Sequence, residues 1–331
     1  MPAAKRVALM GLGFMGLTHA KHISRIQQIR LAAIIDLQPR NQLLDNADRL
    51  NREMGIDVDL SKIQEVEFFS DLEAALAAVQ IDAVIICLPV TLHLSASRHC
   101  LEKGLHVLVE KPFCLDPRAG GELIDLAAER NRILMVAQHV RFHYAYGYLK
   151  RCIDSRRLGR LKLLVLYRAG GRPSWGSWSD EAVVRASGGP LFDLQIHDID
   201  FCNWVFGQPD DIRTSLFEDQ YLDTVLTYPD GLKVCIQGGW ITSPMPYESF
   251  FIAEFEHGSL KYSRSDPTVI LEADGRVVRR IEIGRQKSSY RNELEHFLVL
   301  INAEEQMEVC TPRSCVESVE LCYQIRDSAG K

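Results

Sequence analysis

VALMGLGFMG, residues 7–16, runs an apolar stretch straight into Gly11, Gly13 and Gly16 in the spacing G-x-G-x-x-G. Three glycines alone say little, and their surroundings decide. The run "RVALM" is short and aliphatic, as a buried parallel strand requires, and "GLTHAKHISRI" behind the loop has helical character. The glycines therefore sit where a strand turns into a helix. There Gly11 permits the bend, Gly13 lets the backbone approach a pyrophosphate, and Gly16 lets the helix pack close to the strand. The helix N-terminus then faces the negative charge, with Phe14 and Met15 in the same loop.

A second strand, "LAAIID", ends in Asp36, 20 residues beyond Gly16, where an acidic residue grips the adenosine ribose of a bound dinucleotide. A carboxylate there repels a 2′-phosphate by up to about 4 kcal/mol at close range and intermediate dielectric. NAD is thereby favoured over NADP, although Arg40, four residues on, is placed to bind that phosphate. Strand and helix patterns then alternate through "DLEAALAA", "IDAVIICLP", "TLHLSASRHCLEKG", "LHVLVEKP", "DPRAGGELIDLAAERN" and "RILMVA". Their succession predicts an α/β fold with a doubly wound parallel sheet. Ligands of such sheets lie beyond the carboxyl ends of the strands, which places Leu88, Pro89, His93, Glu110 and Lys111 at the cofactor edge.

Two clusters carry possible chemistry. Glu110-Lys111-Pro112 ends a strand, and a cis proline bond would fix the direction of the lysine; the plainer reading is an ion pair beside a turn. In "ASGGPLFDLQIHDIDFCNWVFG", residues 186–207, the pattern turns helical after Gly188, Gly189 and Pro190. Asp193 and His197 are four apart and share a face. A carboxylate one turn from an imidazole can orient it as a general base; an acidic first turn plus an incidental histidine is the alternative. Asp198 and Asp200 read as solvated or ion-paired.

With these motifs in order over nearly the full length, the sequence resembles the glucose-fructose oxidoreductase / inositol dehydrogenase / MocA family. The resemblance implies an N-terminal Rossmann domain that binds NAD(P), expected over 1–125. It further implies a C-terminal α/β domain with a large, mostly antiparallel open sheet for substrate binding and oligomerisation, expected over 126–331. A nicotinamide would be held between the two. It also implies a dehydrogenase acting on the secondary alcohol of a sugar, inositol or related polyol, with Lys111, Asp193 and His197 as the catalytic set. A homodimer or homotetramer is expected through the partly open face of the sheet that the second-half strands suggest, an ordinary solvated face being the alternative. Two other activities keep the same framework: a glycoside hydrolase that uses NAD transiently in redox elimination, and a non-enzymatic dinucleotide-binding regulator. "LPVTLH" departs from the Thr-Pro-Asn start of many relatives, and Gln195 stands where glycine is frequent.

In the second half, "LKLLVLYRA", "YLDTVLTY", "GLKVCIQGGW", "SFFIAEF" and "GSLKYS" read as strands, several of them alternating. "AQHVRFHYAYGY", residues 137–148, offers Gln138 to the cofactor and Arg141 to the substrate, with Phe142, Tyr144 and Tyr148 read as core. Arg172, Trp175 and Trp178 are further substrate candidates, the tryptophans by stacking on a sugar face and the arginine by reading a carboxylate or phosphate; plain packing is the alternative. Tyr290, Leu294, Phe297, Leu298 and Ile301 form a helical stripe, and Thr311-Pro312 starts a last helix.

Composition limits the rest. At 331 residues, 47% hydrophobic and 25% charged, the chain suits two globular domains, and a net charge of -6 with scattered Lys and Arg argues against nucleic acid. Its beginning, "MPAAKR", moves too quickly into a strand to be a signal peptide, and no apolar run approaches a membrane span; a cytoplasmic protein is expected. Nine cysteines without C-x-x-C read as reduced core residues, and no His/Cys spacing suggests a metal.

Overall fold

The computed structural model describes residues 4–174, 178, 180–217, 220–241, 246–283, 287–303 and 306–329. The chain divides into two compact units, one of Met1–Ala137, Ser174–Val184 and Tyr290–Val316, the other of Gln138–Pro173, Arg185–Ser289 and Glu317–Lys331. The division expected at 125/126 falls inside a helix, because the strand that follows completes the first sheet and keeps the chain in the first unit as far as Ala137.

In the first unit the elements run β1 (Lys5–Met10), α1 (Phe14–Ile23), β2 (Ile29–Ile35), α2 (Arg40–Met54), α3 (Leu60–Gln64), β3 (Glu67–Phe69), α4 (Leu72–Ala78), β4 (Ala83–Ile86), α5 (His93–Glu102), β5 (His106–Glu110), α6 (Pro117–Glu129) and β6 (Leu134–Ala137). All six strands are parallel, in the order β3-β2-β1-β4-β5-β6. Parallel strands covered on both faces read as unbroken apolar runs, and β4 and β6 are buried at every residue. Helix starts obey local chemistry: Asp116 accepts from Arg118 N and Ala119 N with Pro117 next in the chain, and Asp71 accepts from Ala74 N. The core of this unit includes Val84, Val107, Val109, Phe113 and Val136, together with Cys315 and Val316 from the end of the chain.

Beyond β6 come α7 (Tyr144–Ser155), β7 (Leu161–Gly171), α8 (Glu181–Ala186), α9 (Ile196–Phe206), β8 (Asp211–Phe217), β9 (Tyr221–Thr227), β10 (Lys233–Ile241), β11 (Glu248–Phe255), β12 (Gly258–Ser263), β13 (Thr268–Ala273), β14 (Arg276–Glu282), α10 (Ser289–Ile301) and α11 (Pro312–Ser328). Eight strands form the second sheet in the order β14-β13-β12-β11-β7-β10-β9-β8, parallel only where β10 meets β7. Burial alternates along β7, β9, β10 and β11: Leu164, Leu166, Phe251 and Ala253 are fully buried, whereas Val165, Tyr167, Phe250 and Ile252 on the opposite face are half-buried. Tyr148 is buried as expected of core, while Phe142 and Tyr144 are half-buried. In α10 the expected stripe is buried at Leu294, Phe297, Leu298 and Ile301, with Tyr290 half-buried. No helix among the described residues is long and apolar enough to cross a membrane.

Candidate active site: a glycine-loop edge and a buried polar helix

The loop from β1 into α1 is shaped by its glycines. Gly11 has φ +91, and a Cβ there would stand 2.7 Å from the Cys87 carbonyl oxygen beyond β4; a Cβ at Gly16 would stand 2.2 Å from the Gly11 carbonyl oxygen. Gly13 differs, since it is exposed and a Cβ there meets nothing within 4 Å. As N-cap of α1, Gly13 offers no side-chain acceptor, so the first N–H groups of the helix face an open cradle. Leu12 N donates to Asp36 Oδ2 (3.1 Å) and Gln38 N to Oδ1 (3.0 Å), which aims the carboxylate at the end of β2. These residues fit the pyrophosphate and ribose of a dinucleotide.

The ends of β4 and β5 form the rest of this edge. Leu88 and Pro89 follow β4 and are half-buried, and the Lys111-Pro112 peptide is cis, as expected. Glu110, 6% exposed, accepts from His19 Nε2 (2.8 Å) through one oxygen and from Lys111 N (3.1 Å) through the other. Through these two contacts Glu110 braces α1 against the turn that carries the lysine. His93 is 1% exposed with both ring nitrogens against backbone carbonyls, so it does not present its ring to a ligand.

Behind this edge lies a polar cluster that chain spacing did not signal. Ligand atoms of His19, Cys87 and Glu110 lie within 4.8 Å of one another, although the His19–Glu110 hydrogen bond already joins two of them. Burial pushes the Cys87 thiol well above its usual range. Glu293 of α10 is fully buried, neither oxygen has a partner among the described residues, and burial together with the charge of Glu110 holds its carboxyl well above the usual glutamate range.

The second unit holds Asp193 and His197. Gly188 and Gly189 both have positive φ, and from Leu191 to Gln195 the backbone makes a π turn before α9 begins at Ile196. A widened turn of this kind is frequent at functional sites and keeps residues four apart near one face. Trp240 Nε1 donates to Asp193 Oδ2 (3.3 Å), and Gln195 Nε2 donates to Leu222 O (3.1 Å) and Gly238 O (3.0 Å), anchoring the turn to the sheet. His197 is 6% exposed and carries the ring of His139 edge-on at 4.6 Å, a neighbour that sequence reading did not single out.

Two buried ion pairs fix α9. Arg168 Nε and Nη2 donate to Asp198 (2.9 and 2.8 Å), and Arg141 Nε and Nη2 donate to Asp200 (2.7 and 2.6 Å), which also accepts from Ser318 (2.8 Å). Asp198 and Asp200 are thus ion-paired, not solvated. Arg141, expected to meet substrate, instead gives a bidentate grip to Asp200, its side chain 1% exposed. Gln138 is fully buried where the chain leaves β6. Arg172 is exposed, Trp178 is half-buried, and Trp175 lies outside the described residues.

Residues 5–138 match the model of the oxidoreductase family with the NAD-binding Rossmann fold, and residues 146–261 match that of the GFO/IDH/MocA C-terminal domain. The chain belongs to the GFO/IDH/MocA family. Curated relatives include D-glucoside 3-dehydrogenase of Escherichia coli K12, 28% identical over 62% of this chain and 54% of its own length. Inositol 2-dehydrogenase of Rhizobium meliloti is 26% identical over 61% and 55%. The chain spans about half the length of the curated relatives it matches. Among solved structures, UDP-N-acetylglucosamine 3-dehydrogenase from Acidithiobacillus ferrooxidans superposes with a TM-score of 0.77 at 20% identity, covering 99% of this chain and 98% of that one. GenD2 from gentamicin A biosynthesis, solved with NAD, gives 0.79 at 19% identity over 100% and 95%. The GFO/IDH/MocA fold is thus shared over the whole chain.

Proposed function

We propose that this GFO/IDH/MocA protein is an NAD-dependent dehydrogenase that oxidises a secondary alcohol of a sugar, inositol or related polyol. The observation that carries the proposal is His197, held one turn from Asp193 on a helix that two buried arginine pairs immobilise. Gly11, Gly13, Gly16 and Asp36 would hold the dinucleotide, and the bound nicotinamide supplies the hydride acceptor. His197 takes the hydroxyl proton as general base, and Asp193, hydrogen-bonded by Trp240, orients it. Lys111 donates to the reacting oxygen and stabilises the charge that develops there.

Preference for NAD is supported by the Asp36 carboxylate and by the engagement of Arg40. That guanidinium donates to Gln64 O (2.5 Å) and stacks over Phe68 (5.1 Å), so a 2′-phosphate would have to compete for it. The relatives named for glucosides and inositols support a polyol or sugar derivative as substrate. The half-buried face of the second sheet supports a homodimer or homotetramer, which light scattering tests.

The deciding experiment follows NADH absorbance while the protein receives NAD and pooled inositols, sugars and sugar acids. Turnover that falls about 10²–10⁴-fold in His197→Ala, with NADH affinity retained, is the expected result. No NADH formation in any pool, from folded protein that binds NADH, would overturn the net dehydrogenase.

A further inference from the structure

His93 opens α5, and its ring lies between the two loops that leave β4 and β5. Nδ1 is 2.8 Å from the carbonyl oxygen of Pro112, and Nε2 is 2.8 Å from the carbonyl oxygen of Leu88. A carbonyl oxygen only accepts, and a neutral imidazole has a single N–H. Both contacts are hydrogen bonds only when both nitrogens carry protons; in the neutral ring one of them sets a nitrogen lone pair against an oxygen lone pair. Turning the ring over does not resolve this, because carbon atoms would then face both oxygens.

We propose that His93 is a positioning residue for the dinucleotide edge: doubly protonated, its ring ties the loop after β4 to the loop after β5, and neutral, it releases one of them. The proposal rests on the dinucleotide reading above. Leu88 and Lys111-Pro112 are the strand ends beyond which a dinucleotide lies in this strand order, so the tie sets their spacing. Burial and Lys111 hold the ring below its usual 6.5, while the two carbonyls and Glu110 act in the opposite direction. The tie therefore closes as the pH falls below the usual histidine range.

The test uses full-length protein labelled with 15N-histidine and titrated from pH 8 to pH 5, with His93 assigned by its loss in His93→Gln. At the acid end both His93 nitrogens are expected at protonated shifts with slowly exchanging N–H protons, and at pH 8 only one. NAD affinity, measured by calorimetry, is expected to weaken about fivefold from pH 5 to pH 8 relative to His93→Phe, roughly the worth of one hydrogen bond. His93→Gln, whose amide has two N–H donors, should recover part of the affinity lost in His93→Phe. A single protonated nitrogen at every pH, or wild type and His93→Phe tracking each other across the range, would overturn the tie. Absence of NAD binding by wild type would instead defeat the dinucleotide reading, and the nitrogen spectra would still decide the state of the ring.

Discussion

At single residues, the three loop glycines separate folding from binding. In Gly16→Ala the new methyl lands 2.2 Å from a backbone oxygen that cannot yield without moving the loop, so both melting temperature and NADH affinity should fall. In Gly13→Ala the methyl meets no protein atom within 4 Å and the backbone angle, φ -78, suits any residue, so the melting temperature should hold while NADH affinity drops at least about tenfold. Calorimetry and thermal melts on the pair check this, and equal melting temperatures with equal affinities would remove the pyrophosphate from Gly13. Glu293 carries a pH signature of its own. Because its folded carboxyl keeps a proton that the unfolded chain gives up above the ordinary glutamate pKa, stability falls as pH rises from about 4.5 toward the raised folded value. Glu293→Gln removes that slope, so its stability relative to wild type should grow between pH 5 and pH 8 in urea titrations.

Among elements, α9 shows how a helix can be held by charge in a core. It is buried along most of its length and shows no polar face, which leaves Asp198 and Asp200 dependent on their arginines. Asp198→Asn should destabilise by about 3–5 kcal/mol, since Arg168 would remain buried against a neutral partner; urea denaturation measures it. Sequence reading reached the elements whose burial writes a pattern: β1, β4 and β5 as apolar runs, β7, β9 and β10 as alternations, α6 behind its Asp-Pro start. It passed over α2, whose 15 residues bury only Leu43, Ala47 and Leu50. It also passed over β8 and β14, exposed edge strands with little reason to be apolar, and β3, too short for a period to show. In the candidate site the chain order of motifs was legible, whereas the π turn, the Arg141–Asp200 pair, His139 and the Glu293 cluster were not. Those depend on long-range closure, which local spacing does not encode.

For the molecule as a whole, the first unit is assembled from chain segments far apart in sequence. Cys315 and Val316 lie in its core, and Gly120 of α6 leaves room for Val316, whose methyl would stand 3.2 Å from a Cβ there. A fragment ending at residue 137 should therefore melt lower and aggregate more readily than full-length protein, and supplying 290–316 through a linker should recover NADH binding. If the short fragment matched the full chain in melting temperature and NADH affinity, the tail would be dispensable. The same arrangement bears on birth at the ribosome. The six strands leave the ribosome before residues 290–316, which complete their packing, have been made, so the nascent sheet waits with an open seam, a natural station for a chaperone.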